Sequence, residues 1–402
     1  MMKVFQINSV CGVKSTGRIA TDIYNILLQQ GHECKIAYGR ENPQNVAAED
    51  AIKIGTDTGV KFHALMSRIT DKTGFYSKAA TKKLIKQIEE YNPDVIHLHN
   101  IHGYYINIEM LFKYLAKADK KVVWTLHDCW SVTGHCAYFD IINCTKWKTG
   151  CNCCPQKKKY PTSLVFDNSK SNWDKKKKLF TSVKDMTLIT PSRWLEGIIK
   201  ESFLADCKTT VINNGLDLNV FKPTESDFRK KHNLEDKKII LGVAAIWEVR
   251  KGFEDFIKIA KMINDDYRIV MVGVTEEQKK QLPENVIAIG RTNNVQELAA
   301  IYTTADVFIN PTKEEMFGMV NIEALACGTP VVTYNTGGSP EGIDSTCGIV
   351  VDKGDVTALY ETAVKVCDEK MFSEENCMAY AKNFDKKDKY NEYVDLYAQK
   401  LQ

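Results

Sequence analysis

Two glutamates and a glycine within residues 311–332 carry the clearest chemical signal in the chain. Glu315 lies in a predicted loop, and Glu323 lies about one turn inside a helix that is predicted to begin at Met319. Gly318 precedes that helix, where free N–H groups and the positive end of the helix dipole favour a phosphate. The two carboxylates accept hydrogen bonds from hydroxyls but repel phosphate. The pattern predicts a ligand with phosphates in the middle and polyols at both ends, which describes a sugar nucleotide.

The spacing alone leaves open an ordinary strand–loop–helix unit with two solvated glutamates. The neighbouring residues favour function, because the stretch ending in Glu-Ala-Leu-Ala-Cys-Gly-Thr-Pro-Val-Val resembles the donor-site motif of retaining glycosyltransferases of family 4, of the bacterial surface-polysaccharide type. The resemblance implies that Glu315 holds hydroxyls of the donor sugar and that Glu323 holds the ribose hydroxyls. It also implies that the diphosphate binds backbone amides of Met316, Phe317, Gly318, Met319 and Val320.

Basic residues follow a second predicted strand, within residues 239–252. Members of family 4 usually have an arginine after this strand and a lysine five residues later, and both clamp the diphosphate. Lys251 matches the lysine, whereas Ile246 occupies the position of the arginine. Either Arg250 supplies the missing charge, or Lys251 and helix amides hold the diphosphate without it. A lysine near a helix N-terminus is unfavourable unless an anion lies there, which favours a functional Lys251 over a solvated one.

The N-terminal half contributes two further candidates. Gly17 belongs to a glycine loop at residues 11–18, which does not spell the G-x-G-x-x-G of dinucleotide sites. The resemblance implies that this loop faces the donor phosphate and the acceptor, and a plain strand-to-helix turn is the alternative. His127 ends a buried strand, where family 4 places a functional histidine, so we predict that it contacts the transferring sugar or the acceptor. His97 and His99 end another strand and are predicted to be structural.

Five of the 13 cysteines are bunched, at Cys136, Cys144, Cys151, Cys153 and Cys154. The last pair of the set Cys136, Cys144, Cys151 and Cys154 has a separation that is common among zinc ligands. Thiolates in a reducing compartment bind zinc more readily than they form disulfides, and a metal would stabilise a segment with few apolar residues. The other spacings match no common zinc module, so a structural Zn2+ and free thiols both remain open. No cofactor is predicted for catalysis, because family members use helix amides and basic residues where other transferases use Mg2+.

Short β-rich runs alternate with helical segments throughout the chain. This alternation predicts parallel sheets covered by helices on both faces, and two such series predict two Rossmann-like α/β domains. The resemblance implies the GT-B arrangement, in which the two domains face each other across a cleft. We expect an acceptor-side domain over 1–211 with a cysteine-rich insertion at about 134–155, a sugar-nucleotide-binding domain over 212–384, and a last helix, 385–402, that returns to the first domain.

Length and composition exclude several classes of protein. A chain of 402 residues is too long for one compact core, and its 44% hydrophobic and 26% charged residues are typical of soluble globular proteins. The formal net charge of +3 is too small to indicate nucleic-acid binding. No apolar run of about 18 residues indicates a spanning helix, and the N-terminus resembles a short strand rather than a signal peptide. We therefore expect a cytoplasmic protein.

Two lysine runs, Lys157–Lys159 and Lys175–Lys178, suggest a contact with the inner face of the cell membrane. Lysines near anionic headgroups contribute about 1 kcal/mol each, and aromatic residues suit the interface. Trp147, Trp173 and Tyr160 lie near these runs in the sequence. An ordinary solvated face is the alternative.

These expectations converge on a retaining glycosyltransferase with His127, Lys251 and Glu315 as catalytic residues. It would move a hexose from a UDP-sugar, or alternatively a GDP-sugar, to a glycan acceptor linked to undecaprenyl diphosphate. The resemblance places this reaction in bacterial capsule, exopolysaccharide or O-antigen biosynthesis. Two other functions remain open, namely a sugar-nucleotide epimerase on the same fold and a non-catalytic sugar-nucleotide-binding protein.

Overall fold

A computed structural model describes residues 1–399 and divides the chain into two compact units. The first unit contains Met1–Asn213 and the C-terminal stretch from Lys387, and the second contains Asn214–Lys386. The sequence placed the boundary between residues 211 and 212, whereas the structural division follows Asn213. Residues 400–402 of the predicted last helix lie outside the described residues.

The first unit is built on a parallel sheet whose strands are β1 (Lys3–Asn8), β2 (Glu33–Tyr38), β3 (Ala51–Lys53), β4 (Val95–Leu98), β5 (Lys121–Thr125), β6 (Met186–Thr190) and β7 (Lys208–Val211). Their order in the sheet is β3-β2-β1-β4-β5-β6-β7. The residues of β4 and β5 are buried throughout, which explains their nearly continuous apolar sequence. Ile7 of β1 pairs with Leu98 of β4, which pairs with Trp124 of β5, so these three strands end side by side.

The second unit is built on a parallel sheet whose strands are β8 (Lys238–Val243), β9 (Tyr267–Val272), β10 (Val286–Ile289), β11 (Val307–Asn310), β12 (Val331–Tyr334) and β13 (Gly348–Val351). Their order is β10-β9-β8-β11-β12-β13. Leu241 of β8 pairs with Phe308 of β11, and Ile309 of β11 pairs with Val332 of β12. Two parallel sheets of this kind confirm the predicted fold class of two Rossmann-like α/β domains.

Helices cover both sheets. Within the described residues they are α1 (Lys14–Gln29), α2 (Asp57–Thr70), α3 (Lys78–Tyr91), α4 (Ile108–Leu115), α5 (Lys146–Thr149), α6 (Ser169–Phe180), α7 (Arg193–Lys200), α8 (Phe228–Lys231), α9 (Phe253–Ala260), α10 (Glu276–Lys279), α11 (Val295–Thr304), α12 (Met319–Ala326), α13 (Val356–Glu369), α14 (Glu374–Ala381) and α15 (Lys386–Ala398). Side-chain caps lie at the N-termini of several helices. At the start of α2, for example, Thr56 accepts a hydrogen bond from the amide of Gly59 (3.1 Å).

The last helix, α15, packs on the first unit although it follows the second unit in the sequence. Tyr393 and Tyr397 belong to the same buried core as residues of β1 and β2. Thr125 Oγ1 donates to Tyr393 Oη (3.5 Å), and Tyr397 Oη lies 2.6 Å from His97 Nδ1. The helix therefore packs against β4 and β5, next to His97.

Part of the predicted membrane surface is wrong. Trp147 and Trp173 are only 2% and 6% exposed, and Trp173 Nε1 donates to the carbonyl of Trp147 (3.0 Å). Lys176 is also buried, and its Nζ donates to the carbonyls of Trp130 (2.8 Å) and Thr133 (3.0 Å). Burial lowers the pKa of Lys176 to about 7. Within residues 1–399, none of the helices is both long enough and apolar enough to cross a bilayer.

Candidate functional site

The loop between β11 and α12 is shaped by a glycine at its end. Gly318 has φ of +70° and precedes Met319, where α12 begins as predicted. Only glycine adopts this conformation without strain. A Cβ at Gly318 would also lie 3.2 Å from side-chain atoms of Asn321 and Ser339. The first turn of the helix is therefore approached closely by the segment that follows β12.

A buried network of polar side chains holds this loop in place. Asn310 Nδ2 donates to Asn321 Oδ1 (2.8 Å), and Asn321 Nδ2 donates to the carbonyl of Ser339 (3.0 Å). The hydroxyls of Thr333 and Ser339 lie 2.8 Å apart. The network joins β11, α12 and β12 in the core, where unpaired polar groups would be costly. It therefore fixes the geometry of the candidate site between these elements.

Glu315 forms an ion pair with Lys251, a residue 64 positions earlier in the chain. The pair joins Glu315 Oε2 to Lys251 Nζ, while Glu315 Oε1 accepts a hydrogen bond from the amide of Met316 (3.1 Å). The side chains of Lys251 and Glu315 are 21% and 18% exposed. The carbonyl of Glu315 accepts from the amide of Gly338 (3.0 Å), and a Cβ at Gly337 would lie 1.9 Å from that carbonyl oxygen.

The charge of Glu315 depends on its basic neighbours. Burial acts to raise the pKa of this carboxyl, but the ammonium of Lys251 and the more distant charge of Arg250 act in the opposite direction. The net result is a pKa below the usual value for a glutamate. Glu315 is therefore ionised at neutral pH and accepts hydrogen bonds, as a ligand for sugar hydroxyls must.

The predicted basic residues lie beside this loop because β8 and β11 are neighbours in the sheet. Arg250 and Lys251 belong to a short 3-10 turn before Gly252, which has φ of +79° and precedes α9. Arg250 Nη1 donates to the carbonyl of Glu314 (3.3 Å). A Cβ at Gly252 would lie 2.5 Å from the carbonyl oxygen of Pro311, so the two loops are in close contact. The structure thus brings both basic residues to the Glu315 loop.

Ile246 stands where family 4 usually has an arginine, and its side chain is 64% exposed. The adjacent Trp247 is buried, and its Nε1 donates to the carbonyl of Val272 (2.9 Å). The loop after β8 is therefore anchored by the tryptophan, and the position before it carries no charge. Arg250 and Lys251 are the basic residues that this loop places next to Glu315.

Glu323 lies on α12, as predicted, with one carboxylate oxygen already engaged. Tyr302 Oη donates to Glu323 Oε2 (2.9 Å), and the ring of Tyr302 is fully buried. Burial and the charge of Glu323 raise the pKa of Tyr302, which therefore stays a hydrogen-bond donor. The side chains of Met316 and Phe317 are buried in the second unit, so these residues can offer a ligand only their backbone. Met319 and Val320 form the first turn of α12.

In the first unit, polar residues after β4 and β5 line a small cavity that is open to solvent. The polar side chains of this cavity include those of His99, Asn100, His102, Thr125, His127, Asp128 and Ser131. Ser131 is 3% exposed, and its hydroxyl has no hydrogen-bond partner within residues 1–399. The cavity lies at the carboxyl ends of parallel strands, where open α/β sheets bind ligands.

Hydrogen bonds determine which nitrogen of His127 carries the proton. His127 Nε2 lies 3.2 Å from His99 Nδ1, and His99 Nε2 lies 2.9 Å from Gln6 Oε1. Gln6 Nε2 donates to the carbonyl of Ala20 (2.9 Å), which fixes the orientation of the amide. Because the amide oxygen only accepts, His99 donates from Nε2 and accepts at Nδ1 from His127. His127 Nδ1 therefore keeps a lone pair that can accept a hydrogen bond from a sugar hydroxyl.

Burial keeps these histidines neutral. It lowers the pKa of His127 to about 4, although the charge of Asp128 acts in the opposite direction. His97 and His99 are buried, and burial places their pKa values well below the ordinary value. His97 Nε2 lies 2.8 Å from Thr125 Oγ1, so His97 is paired within the core. His99 is also buried, but it additionally orients His127.

The third histidine of this cavity, His102, was missed by the sequence analysis. His102 Nε2 lies 2.8 Å from Asp128 Oδ2, and His102 Nδ1 lies 3.2 Å from Tyr160 Oη. The amide of Trp130 donates to Asp128 Oδ1 (2.8 Å). Burial raises the pKa of Asp128, but its hydrogen-bond partners outweigh this and lower it. His102 and Asp128 each follow a predicted strand, but their pairing depends on β4 and β5 being neighbours in the sheet.

Gly17 lies on α1 of the first unit, four residues inside the helix start. Its carbonyl accepts a hydrogen bond from the amide of Gly12 (3.0 Å), and a Cβ at Gly17 would lie 3.1 Å from Val10 Cγ2. A glycine therefore favours close packing of the helix against the preceding loop. This packing explains Gly17 without a ligand, and its contact with a donor stays a prediction.

The four cysteines predicted as zinc ligands line a single small cavity in the first unit. The thiol of Cys136 donates to the sulfur of Cys154, and this hydrogen bond lowers the pKa of Cys154 to about 7. Cys151 Sγ accepts a hydrogen bond from the amide of Gly134 (3.2 Å). Cys144 completes the set, and no three His, Cys, Asp or Glu side chains within residues 1–399 have the arrangement of a metal site. Zinc binding therefore stays a prediction.

Comparisons with known families match both units. Residues 16–220, more than half of the chain, match the family described as Glycosyltransferase Family 4. Residues 224–385 match the family described as Glycosyl transferases group 1. Among individual proteins, the chain is 24% identical over 375 residues to WcaC of Escherichia coli K12, which is named as a glycosyl transferase of colanic acid biosynthesis. The match covers 90% of each chain.

Solved structures share the fold at low sequence identity. Sucrose-phosphate synthase from Thermosynechococcus elongatus superposes with a TM-score of 0.71 and 17% identity, covering 99% of both chains. HepE from Anabaena, solved in complex with UDP, superposes with a TM-score of 0.70 and 15% identity, covering 100% of both chains. HepE has also been solved with UDP-glucose. At these identities the likeness establishes the fold alone.

Proposed function

The chain belongs to glycosyltransferase family 4, and we propose that it is a retaining hexosyltransferase that uses a nucleotide-diphosphate sugar. One observation carries this proposal, namely the Glu315–Lys251 ion pair beside Arg250 at the start of α12. A carboxylate for hydroxyls, cations for phosphate and a helix N-terminus meet there at the carboxyl ends of two neighbouring strands. This combination suits a ligand with a sugar on one side of a diphosphate and a nucleoside on the other.

In this proposal each donor-site residue contacts a different part of the ligand. Glu323 binds the ribose hydroxyls, and Glu315 binds hydroxyls of the transferred hexose. The diphosphate lies against backbone amides between Met316 and Val320, with Lys251 at the phosphate that departs. Arg250 supports Lys251 in place of the arginine that Ile246 replaces.

The cations act where charge develops during the reaction. As the bond between the sugar and the diphosphate breaks, the sugar becomes oxocarbenium-like and negative charge grows on the departing phosphate. Donors that are already in position stabilise this charge more in the transition state than in the ground state. Both oxygens of Glu315 are held, by Lys251 and by the amide of Met316, which makes this carboxylate a poor nucleophile. We therefore favour same-face displacement, with the departing phosphate taking the proton of the acceptor hydroxyl.

The cavity of the first unit supplies the acceptor side of the proposal. His127 is neutral and has a lone pair at Nδ1, so it accepts a hydrogen bond from a hydroxyl of the transferring sugar or of the acceptor. The His102–Asp128 pair and the hydroxyl of Ser131 offer further polar contacts in the same cavity. A saccharide with several hydroxyls would match this mixture of donors and acceptors.

The relatives support a more specific substrate. HepE binds UDP and UDP-glucose, which favours a UDP-hexose here, with a GDP-hexose as the alternative. WcaC is named for colanic acid biosynthesis, and a 26% identical protein of Klebsiella pneumoniae is named for its place in a cps region. We therefore propose a role in the synthesis of a bacterial surface polysaccharide, on an acceptor linked to undecaprenyl diphosphate.

We further propose that Cys136, Cys144, Cys151 and Cys154 hold a structural Zn2+. Their placement around one cavity supports this, because the thiolate ligands of a zinc ion must converge on a common point. The metal would stabilise the segment that leads from β5 to α6 and would take no part in the transfer.

A substrate screen tests the function. A cognate sugar nucleotide at 100 times its Kd should stabilise the chain by about 2.7 kcal/mol in thermal unfolding, whereas non-cognate ones should not. Nucleotide release should then require an acceptor, and NMR of the product should show retained anomeric configuration. Conversion of the sugar nucleotide without any acceptor would instead identify an epimerase. Donor binding without release, across lipid-linked and free glycan acceptors, would identify a non-catalytic binding protein.

A further inference from the structure

Helix α2 of the first unit exposes large apolar side chains. Phe62, Leu65 and Ile69 are 58%, 55% and 37% exposed, and their spacing of three and four residues places them on one side of the helix. The opposite side of α2 carries His63 and Ser67, which are buried. The helix is therefore amphipathic in the unusual sense that its solvent-facing side is apolar.

A loop beside α2 extends the same apolar face. Leu164, Val165 and Phe166 are 65%, 56% and 57% exposed. The amide of Leu164 donates to the carbonyl of Arg68 (2.7 Å), and the amide of Phe166 donates to the carbonyl of Ile69 (3.1 Å). These bonds place the loop against the last turn of α2. The six side chains Phe62, Leu65, Ile69, Leu164, Val165 and Phe166 form one surface, which we call the apolar face.

Internal hydrogen bonds hold the loop in this conformation. Ser163 is buried, and its hydroxyl donates to the carbonyl of Phe166 (2.7 Å). The backbone amide of Asn168 donates to Asp71 Oδ2 (2.8 Å), and its side-chain Nδ2 donates to the carbonyl of Thr70 (2.6 Å). The backbone polar groups are thus satisfied while the apolar side chains face outward. Exposed apolar patches of this kind mark interaction sites in soluble proteins.

Basic residues border the apolar face. Lys61 and Arg68 are exposed on α2, and because they are two helical turns apart they lie along the same edge of the helix. Lys158 and Lys159 are exposed in the loop, and Lys157 Nζ donates to the carbonyl of Val165 (3.1 Å). The nearest acidic side chain in the sequence, Asp167, accepts hydrogen bonds from the amides of Cys154 (2.7 Å) and Ser169 (2.9 Å). The border of the face therefore has a basic character.

We propose that the apolar face and its basic border dock the chain on the surface of an anionic lipid bilayer. Apolar side chains on one side of a helix, with lysine and arginine beside them, are the features by which helices lie in a membrane interface. The lysines attract anionic headgroups, and the long aliphatic and aromatic side chains enter the boundary with the acyl chains. This surface includes the first lysine run, Lys157–Lys159. Its apolar component is the apolar face, and not Trp147 and Trp173, which are buried.

The apolar face is connected to the cavity of the first unit through Tyr160. Tyr160 is 43% exposed next to the lysine run, and its Oη lies 3.2 Å from His102 Nδ1 in the cavity. Tyr104 packs edge-on against both Tyr160 (6.4 Å between ring centroids) and His63 of α2 (5.9 Å). A lipid-anchored acceptor in the bilayer would thus present its glycan close to His102. This connection rests on the proposed function, whereas the docking itself does not.

Vesicle binding of the full chain tests the docking. The chain should co-sediment with vesicles of phosphatidylcholine and phosphatidylglycerol, at least tenfold more than with phosphatidylcholine alone, and raised salt should reduce this difference. The double variant Leu65→Ser/Phe166→Ser should bind at least tenfold more weakly. The control Leu28→Ser/Met371→Ser removes two apolar side chains, 41% and 39% exposed, that are not among the six residues of the face, and it should bind like the parent. The variant Lys158→Gln/Lys159→Gln should lose binding to the anionic vesicles only.

Three outcomes would overturn the proposal. The first is no vesicle binding by the parent, and the second is equal binding by the Leu65→Ser/Phe166→Ser variant. The third is a concentration-dependent dimer, seen by sedimentation velocity, that this variant abolishes while vesicles are not bound, because the face would then be an interface between copies of the chain. The cognate sugar nucleotide should stabilise the same variants against thermal unfolding as strongly as it stabilises the parent. That result would show that the variants are folded and that their donor site is intact, independently of vesicle binding. Vesicle binding without any sugar transfer would leave the docking intact and refute the proposed function.

Discussion

Replacing Lys251 by alanine separates two roles of one side chain, one observed in the structure and one proposed for the reaction. Lys251 balances the charge of Glu315 in the folded protein and, in the proposed reaction, stabilises the departing phosphate. The first role affects the free energy of unfolding, and the second affects turnover. The two effects respond differently to a second substitution at Glu315, which makes the prediction specific.

The magnitude for stability follows from the burial of the pair. Breaking a fully buried ion pair costs about 3–5 kcal/mol, because one charge stays buried without compensation. Lys251 and Glu315 are 21% and 18% exposed, so solvent reaches the remaining carboxylate in part. We therefore expect Lys251→Ala to lower the free energy of unfolding by about 2 kcal/mol at pH 7, in the range for a lost charged hydrogen bond.

The loss should depend on pH in a defined direction. In the parent the pKa of Glu315 lies below its unfolded value, so the ionised pair stabilises the fold above that value and the contribution is lost as pH falls. In Lys251→Ala the carboxyl of Glu315 remains buried, but the Lys251 ammonium, which lowers its pKa most strongly in the parent, is absent. The pKa of Glu315 therefore rises. The carboxyl is then protonated more readily, and the difference in stability between parent and variant should be largest at pH 7 and smaller near pH 4.

Turnover supplies the second measurement. If Lys251 acts as a single preorganised donor at the developing charge, Lys251→Ala should reduce nucleotide release about 10²–10³-fold. The double variant Lys251→Ala/Glu315→Gln should regain stability, since no uncompensated charge remains, but it should not regain turnover. Lys258→Ala is the control, because this lysine of α9 is 63% exposed and should affect neither quantity. Arg250→Ala shows whether that residue shares the role at the phosphate.

Urea unfolding at several pH values and nucleotide release in the presence of acceptor are the assays. Parental turnover by both Lys251→Ala and Arg250→Ala would refute the placement of the diphosphate. A double variant that is no more stable than Lys251→Ala would refute the account of the ion pair, even if turnover fell.

The other predictions concern the nucleoside, the acceptor cavity and the cysteines. Glu323→Ala should weaken binding of the nucleotide at least tenfold, since a charged hydrogen bond contributes about 1.5–3 kcal/mol, and calorimetry would measure it. Tyr302→Phe removes only the neighbouring hydroxyl and should weaken binding less; equal losses would contradict the assignment. Asp128→Asn should lower turnover while donor-induced thermal stabilisation stays at the parental level, and a changed donor affinity would argue against an acceptor-side role. Elemental analysis of reduced protein should find close to one zinc per chain in the parent and in Cys153→Ser, whose cysteine is exposed, but none in Cys151→Ser; absence of zinc from the parent would refute the metal site.

Local sequence patterns were sufficient for most of the strands, the start of α12 and the location of the candidate donor loop. A buried parallel strand appears as a continuous apolar run, and a glycine with positive φ before a helix is encoded by one residue, so β11, Gly318 and α12 could be located without any tertiary contact. Glu315 and Glu323 are close in the sequence and on adjoining elements, so their common neighbourhood was also predictable. The family resemblance carried the chemistry assigned to them.

Contacts between distant segments could not be predicted in the same way. The sequence suggested Lys251 and Glu315 as separate ligands of a diphosphate and a sugar, but not their ion pair, which depends on β8 and β11 being neighbours in the sheet. The pairing of His102 with Asp128 depends likewise on the adjacency of β4 and β5. Strand order is set by packing over the whole sheet, and residue spacing carries little information about it.

Exposure is the property that only the tertiary structure decided. Trp147, Trp173 and Lys176 look in the sequence like parts of a basic, aromatic surface, yet all three are buried. Phe62 and Phe166 look like core residues, yet both are more than half exposed and meet on one face. Residue type sets the free energy of burying a side chain, but which side of an element faces the core depends on what the rest of the chain packs against it. The sequence alone therefore located the candidate donor loop of this protein, and the tertiary structure decided which apolar side chains it exposes.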